Sequence, residues 1–328
     1  MIQRCTPMPD SASVAVRHYQ WAGLDFMFDA DGTPVLLEAN RCSHMLWEYL
    51  LLYNDDTPFR LTAEVLNTAE GPTCLMWRRD DPLPDADEDA CWIAGHLRLH
   101  LDRELVICHV EDNQQDSDEL LTREGNRVRP GSIFRWWYDL PWSYEQSGVC
   151  VINPNAAWVA VRDKFACYAS LSKAKSFRVP RSFAVETPGE VATLLSAHPE
   201  LFARGYVLKP RVGFGGHGVQ VADPHDPPQP FLGNHLLSER IIPQLREGNF
   251  WDVRLFVMAG RYLGGVLRSS PGAVTNVFQG GKPQRLDDET AAALQAPALE
   301  AVQLLDAAAE AVHCLPHPPV TDLINVEY

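Results

Sequence analysis

Residues 206–219 read Y-V-L-K-P-R-V-G-F-G-G-H-G-V, and no other stretch restricts the fold of this chain as sharply. A short apolar run ends in Lys209-Pro210, glycines follow at 213, 215, 216 and 218, and Val219-Gln220-Val221 then alternates again. Strand, glycine-rich turn, strand is the simplest reading. Glycines without a Cβ let backbone N–H groups close around an anion, and Lys209 adds a fixed positive charge beside them. The result is a phosphate grip built on a hairpin. It is not a Walker loop, because G-x-x-x-x-G-K-[ST] occurs nowhere in the chain. The same residues also make an ordinary glycine-rich hairpin, so the neighbouring motifs decide between the two.

A chain of 328 residues has room for two or three domains. With 46% apolar and 22% charged residues it has the composition of a soluble globular protein. A net charge of −15 argues against a general nucleic-acid binder or a polybasic membrane binder. No apolar run is long enough for a transmembrane helix. The first turns carry Arg4, Asp10, Arg17 and His18 and no apolar core, so no secretory signal is expected and the cytoplasm is the expected location. The cysteines are scattered without C-x-x-C pairs or metal-type spacing, which predicts buried free thiols.

Near the N-terminus, residues 23–29 and 35–40 are apolar runs flanking Ala30-Asp31-Gly32-Thr33-Pro34, a hairpin signal. Glu38 and Asn40 stand two apart and face the same side of a strand, with Asp25 on the neighbouring strand. Two carboxylates and an amide oxygen converging this way suit magnesium, which takes oxygen ligands together with water and phosphate. A solvated strand end with unrelated charges is the alternative. It is disfavoured because Glu38 follows Val35-Leu36-Leu37, and an unpaired buried charge is costly. Residues 41–70 are expected to be helical, with a linker at 68–73.

Residues 74–145 are expected to be a small unit of alternating strands and helices around a parallel sheet: strands at 74–77, 104–110 and 133–138, and a helix at 90–101. The 112–129 segment reads as a polar loop. Arg135 is either an anion contact or a surface arginine, and Trp136, Trp137 and Trp142 are expected in packing. A strand at 151–155 precedes a single helix over 156–175 that contains Lys164. A helix at 188–201 leads into the glycine hairpin. The strand at 236–243 carries Glu239. A second hairpin, 252–258 and 262–268, places Arg254 and Arg268 on its strands. The alanine-rich 291–312 segment is helical. The sequence given closes with Thr321 to Tyr328, which includes Asp322.

Taken in order, these motifs resemble the ATP-grasp superfamily, nearest to the glutathione-synthetase-like carboxylate–amine ligases. The resemblance covers residues 74–328 and 20–45. Lys164 resembles the first nucleotide lysine. Lys209-Pro210 with Gly213, Gly215, Gly216 and Gly218 resembles the second lysine and the mobile phosphate-covering loop. Glu239-Arg240-Ile241-Ile242 resembles the hinge that holds adenine and ribose. Asp252-Val253-Arg254, Arg268, Thr275-Asn276 and Gly280-Gly281 follow the order of the catalytic sheet. Asp25 with Glu38-Ala39-Asn40 resembles the metal-binding finish.

One departure stands out. The metal hairpin usually comes last, whereas here it precedes the small unit, and Asp322 has no Glu-x-Asn partner after it. Either the fold is circularly permuted or the chain is a piece of a tandem array, and the permuted order is preferred. The implied fold class is α/β (α+β), an ATP-grasp fold with a preceding small parallel α/β domain and a metal-binding hairpin at the N-terminus. The expected divisions are 1–70, 71–148 and 149–328, with a glycine-loop subdomain at 180–245.

The resemblance implies an ATP- and Mg²⁺-dependent, ADP-forming ligase. It activates a substrate carboxylate as an acyl phosphate and joins it to an amine. Lys164 and Lys209 would hold the nucleotide phosphates. Glu38 and Asn40, with Asp25 or Asp322, would hold metal. Arg254 and Arg268 would stabilise the transferring group. Small-molecule or peptide substrates are implied, drawn into pockets from 74–145 and 268–282, and a homodimer by analogy. A kinase using the same nucleotide grip, or a catalytically incomplete ATP-binding module, remains as an alternative.

Overall fold

The computed structural model describes residues 12–40, 45–79, 86–113, 117–136, 143–213, 216–272, 275, 277 and 280–314. Along the chain, β1 (Trp21–Phe28) and β2 (Pro34–Asn40) form a hairpin, followed by α1 (Leu46–Tyr53) and α2 (Thr57–Leu66). Next come β3 (Thr73–Trp77), α3 (Ala86–Arg98), β4 (Leu105–His109), β5 (Leu120–Leu121), β6 (Arg127–Val128), β7 (Ser132–Arg135), α4 (Ser143–Gln146) and β8 (Cys150–Ile152). Two short helices, α5 (Asn155–Arg162) and α6 (Lys164–Leu171), lead to β9 (Ser182–Val185), α7 (Pro188–Ala197), β10 (Tyr206–Pro210), β11 (Gln220–Ala222) and β12 (His235–Glu239). The last elements are β13 (Phe250–Met258), β14 (Arg261–Ser270), β15 (Lys282–Arg285) and α8 (Asp288–His313).

Three sheets carry the structure. One is antiparallel in the order β15-β14-β13-β1-β2, so the N-terminal hairpin completes a sheet begun at the other end of the chain. The glycine hairpin belongs to a second antiparallel sheet, β11-β10-β12-β9. The third, β4-β3-β7-β8, is parallel throughout, as the strand–helix alternation predicts.

The five-stranded sheet has two different faces because side chains alternate along a strand. Leu24, Phe26, Val253, Leu255, Val257 and Leu267 point one way, into a core closed by α5, α6 and α8. Trp21, Phe256, Met258 and Val266 point the other way and pack on α1–α3 and the parallel sheet. Asp25, Asp252, Arg254 and Arg268 share that second face farther along the strands, by the pairings Asp25↔Arg254 and Asp252↔Arg268. Burying a single Leu- or Phe-sized side chain contributes roughly 1.5–3 kcal/mol, so the first face and the apolar half of the second fix the sheet. The charged half is then held in place by a scaffold it does not build.

The β13–β14 turn is Ala259-Gly260, with φ of 48° and 72°. Left-handed conformation at both positions gives the two-residue turn whose twist suits antiparallel strands.

Three expectations change. The predicted helix over 156–175 is two helices, because Asp163 adopts an extended backbone (φ −88°, ψ 111°) and accepts from the N–H groups of Phe165 and Ala166. That N-cap bond competes with helix continuation and starts α6 at Lys164. The 112–129 loop contains the β5–β6 hairpin. β15 was not anticipated: Lys282-Pro283-Gln284-Arg285 is polar and contains proline, as an edge strand can. Of the cysteines described, Cys74, Cys108 and Cys167 are buried free thiols, while Cys91 and Cys314 are exposed. No helix among the described residues is long and apolar enough to cross a membrane.

Candidate active site

A cleft of about 920 Å³ opens between the charged half of the five-stranded sheet, the glycine hairpin, α1 and α3. Asp25, Glu38, Asn40, Lys164, Lys209, Gly213, Gly216, Glu239, Arg254 and Arg268 all line it. Gly218 follows in the same loop. Gly215, Asn276, Asp322, Trp137 and Trp142 lie outside the described residues.

Arg254 grips Asp25 through Nε and Nη2, the latter at 2.8 Å, and Arg268 reaches the same carboxylate at 3.2 Å. Arg268 also makes a two-pronged pair with Asp252 at 2.7 and 2.6 Å. All four are at most 7% exposed. Burial alone would raise the Asp25 carboxyl, but the guanidiniums of Arg254 and Arg268 outweigh it and hold Asp25 below the usual carboxylate range. Burial likewise works against the charge on Arg254, yet Asp25 keeps it firmly protonated. The two arginines are thus fixed in fork geometry by two acids, a pre-organised cationic surface at the cleft floor.

Glu38 and Asn40 stand two apart on β2, with Glu38 directly across from Asp25. The Asn40 amide nitrogen donates to the Gly23 carbonyl at 3.3 Å, which makes its oxygen the atom it can offer. Between Asp25 and Phe26 the β1–β2 pairing slips by one residue, so Leu37 is a bulge. Its carbonyl accepts hydrogen bonds from the Tyr168 hydroxyl and from Lys209 Nζ, the latter at 3.3 Å.

Both lysines meet at this strand. Lys164 Nζ lies 3.2 Å from Glu38 and donates to the Gly213 carbonyl at 2.6 Å. Lys209 Nζ donates to the Tyr168 hydroxyl at 2.9 Å. Burial pushes the Lys209 amine down, and Glu38 offsets part of that. Burial, reinforced by Glu38, pushes the Tyr168 phenol up, so Tyr168 stays a neutral partner.

The loop stem is fastened to α6. Arg211 forms a two-pronged pair with Asp163, and the Lys164 N–H donates to the Arg211 carbonyl at 2.9 Å. Arg211 is a positioning contact missed in the sequence, since nothing local ties it to a helix cap 48 residues away. Arg178 was missed for the same reason. It binds Asp29 at 3.0 Å and Glu239 at 2.9 Å, joining the β1–β2 turn to the end of β12. Glu239 also accepts from the Arg181 N–H at 2.9 Å. Glu239 therefore stands at the cleft wall with one oxygen committed to this tether, beside the apolar Ile241, Ile242 and Leu245.

Arg135 is not a surface residue: burial turns it to the protein's own groups, and its charge also acts on Glu145. It is 2% exposed, lies 4.2 Å over Trp158, and donates to the Asn153 carbonyl at 2.8 Å. Trp136 packs on Trp77, Phe134 and Trp21, as expected, and also reaches the cleft. His217 is exposed on the loop.

The donor set suits a hard cation. Among the described residues no group of three or more His, Cys, Asp or Glu side chains is placed to hold a metal. Glu38 and the Asn40 oxygen nonetheless offer two oxygen ligands at the cleft surface, the small number that magnesium takes when water and phosphate complete its shell. Lys164 already provides a positive charge against Glu38. Asp25 is occupied by both arginines.

No protein-family model matches the sequence, and no curated protein matches it significantly. Solved structures do match. A candidate gamma-glutamylcysteine synthetase from Methylobacillus flagellatus KT superposes with a TM-score of 0.60 at 11% identity, over 91% of this chain and 90% of that one. D-alanyl-alanine synthetase A from Vibrio cholerae O1 gives 0.47 at 10% identity over 72% and 81% of the two chains. D-cycloserine synthetase DcsG gives 0.44 at 18% identity over 72% and 82%. The first of these shows a shared fold over nearly the whole chain.

Proposed function

We propose that this chain, whose fold is that of the ATP-grasp, glutathione-synthetase-like proteins, is an ATP-dependent ligase that activates a carboxylate as an acyl phosphate and joins it to an amine. The observation that carries the reading is that Lys164, Lys209, Glu38, Asn40, Arg254 and Arg268, drawn from both ends of the chain, face one cleft.

Phosphoryl transfer asks a protein for positioning and charge neutralisation. Lys164 and Lys209 hold the nucleotide phosphates, exchanging contacts with Glu38, Gly213 and Leu37 for phosphate oxygens. Glu38 and Asn40 would hold magnesium, with Asp25 behind them as a buried acid that keeps the arginines in place. When bound, the metal neutralises charge on the phosphate oxygens. Arg254 and Arg268 bind the carboxylate and stabilise negative charge as the phosphoryl group passes to it. The glycine loop covers the phosphates and excludes water, which protects an acyl phosphate from hydrolysis. The segment 236–243 contacts the base and ribose, with Glu239 fixed by Arg178.

The N-terminal hairpin completes the sheet of β13–β15. This favours a circularly permuted ATP-grasp order over a tandem fragment, with the proposed divisions at 1–70, 71–148 and 149–328.

Calorimetry with a non-hydrolysable ATP analogue and Mg²⁺ tests the site. Wild type should bind. Lys209→Ala should weaken binding by about tenfold or more, the worth of a hydrogen bond to a charged group. Glu38→Ala/Asn40→Ala should remove the Mg²⁺ dependence. Binding by that double variant that still depends on Mg²⁺ as in wild type would sink the single-site, permuted reading. Release of ADP only when a carboxylate and an amine are both present then separates a ligase from a kinase.

A further inference from the structure

Helix α6 meets β2 at successive residues. Lys164 and Tyr168 stand one turn apart on α6, so a single helix face carries both. Lys164 reaches the Glu38 carboxylate, and the Tyr168 hydroxyl donates to the Leu37 carbonyl. The bulge makes that carbonyl available. Asp25 pairs with Glu38 and Phe26 with Leu36, so Leu37 has no partner residue across on β1. Lys209 comes to the same point from the hairpin sheet. Its ammonium donates to the Leu37 carbonyl at 3.3 Å and to the Tyr168 hydroxyl at 2.9 Å, and it lies 5.1 Å from the centre of the Tyr168 ring. A triangle of hydrogen bonds thus joins α6, β2 and β10 around one phenol.

A phenol suits this corner because it donates and accepts at once, giving its proton to Leu37 and a lone pair to Lys209. Burial pushes the Tyr168 phenol up, so it keeps the proton that the bond to Leu37 needs. A carboxylate in its place would neutralise Lys209, as Asp25 neutralises the arginines. The ammonium has three N–H groups. The triangle engages two of them, and Lys209 lines the cleft. Lysine loses much rotamer freedom when it is ordered, so a lysine fixed before its ligand arrives binds that ligand at a smaller entropic cost.

We infer that Tyr168 is a positioning residue: its hydroxyl, shared by Leu37 and Lys209, fixes the Lys209 ammonium against the strand that carries Glu38 and Asn40 and sets it to meet an anion in the cleft. The inference rests on the proposed function for the identity of that anion, a nucleotide phosphate. The hold of Tyr168 on Lys209 does not depend on that reading.

Tyr168→Phe removes the hydroxyl and keeps the ring. The Leu37 carbonyl retains Lys209 as a donor, so the variant orphans no acceptor and keeps the fold. Competitive acetylation of Lys209 across the alkaline range, read by mass spectrometry on nucleotide-free protein, follows its amine. Loss of a hydrogen bond to the charged form should move the Lys209 midpoint to lower pH. Glu38, Asp25 and Cys167, which act on Lys209, and Lys164, which pairs with Glu38, are present in both proteins. Calorimetry with the non-hydrolysable ATP analogue and Mg²⁺ is run on the same samples. Tyr168→Phe should weaken binding about tenfold. The same change made in Lys209→Met should have no further effect, because the hydroxyl acts through the lysine. The inference is overturned if the Lys209 midpoint does not move, or if wild type and Tyr168→Phe bind the analogue equally well. It is overturned too if Tyr168→Phe weakens binding equally with and without Lys209, which is the mark of lost packing. If the midpoint moves but wild type binds no ATP analogue, the hold of Tyr168 on Lys209 stands and the nucleotide reading falls.

Discussion

The five-stranded sheet and the glycine-hairpin sheet both present cations to one cleft, but they hold them in opposite ways. Arg254 and Arg268 are locked between Asp25 and Asp252, four charges that satisfy one another beneath the cleft floor. Lys209 has no acid of its own on the hairpin sheet. It rests on a carbonyl and a neutral phenol, and its burial disfavours the charge it carries. The first sheet is flanked by two extensive cores, whereas the hairpin sheet packs one small cluster around Val185, Val191, Phe202, Tyr206, Leu208 and Leu237. Charges paired inside a protein make a fixed template, and a charge left on neutral partners is one that a ligand can complete. A rigid floor with a lysine on neutral partners above it is the arrangement that the proposed binding and release of a nucleotide would use.

The largest expected effect comes from breaking the floor. Asp25→Ala leaves two buried guanidiniums short of a counter-charge and should cost about 3–5 kcal/mol in urea unfolding at neutral pH. Asp25→Asn supplies the pH test. The folded Asp25 carboxyl is depressed below its ordinary value, so its stabilisation is fully present above that value and is lost as pH falls through the folded one. The gap between wild type and Asp25→Asn should be full near neutrality, narrow below pH about 4 and close as pH falls through about 2. A gap that does not change with pH would mean Asp25 acts by shape and not by charge.

Much of this site is legible in sequence because its parts are local. Lys209 with its glycines, Glu38 with Asn40, and Arg254 with Asp252 each sit within a few residues on one strand or turn, where spacing alone fixes the face. Partnerships between distant segments were not legible. Arg211 with Asp163 and Arg178 with Glu239 depend on how separate elements dock, and no periodicity reports that. The Leu37 bulge was hidden because an extra residue in a strand leaves no mark in an apolar run. The break at Asp163 was readable in principle, since aspartate is a favoured N-cap. An apolar pattern continuing through α5 and α6 concealed it.

The intermediate effect tests the clamp. Lys209→Met should change stability by no more than about 1 kcal/mol, because the lost contacts are offset by removing a desolvated charge. The pH signature is opposite to that of Asp25. A lysine depressed in the folded state makes the nucleotide-free protein gain stability as pH rises from the folded value toward the ordinary lysine value. Urea midpoints for wild type should therefore rise relative to Lys209→Met across that alkaline window. Over the same window wild type should lose affinity for the ATP analogue, as the ammonium that meets phosphate disappears. Parallel stability curves for the two proteins would place Lys209 in the same class as the paired arginines and erase the contrast.

The smallest effect compares two glycines with nearly the same backbone. Gly260, in the turn of the rigid sheet, has φ 72°, and Gly218, in the glycine loop, has φ 71°. Alanine in that left-handed conformation costs roughly 1–2 kcal/mol at either position. Their surroundings differ. A Cβ at Gly260 would fall 1.9 Å from the Val14 carbonyl oxygen, so backbone must shift, whereas at Gly218 the nearest atom is a Pro210 ring carbon at 3.0 Å. Gly260→Ala should therefore destabilise by about 1 kcal/mol or more beyond Gly218→Ala, as overpacking does, and leave nucleotide affinity unchanged relative to the fraction folded. Gly218→Ala should lose only about 1 kcal/mol of stability yet slow the association of the ATP analogue in stopped flow, because the strain falls on the segment that closes. If both glycines cost the same in stability and neither alters association, the loop is as fixed as the turn, and the hairpin sheet is a second rigid wall.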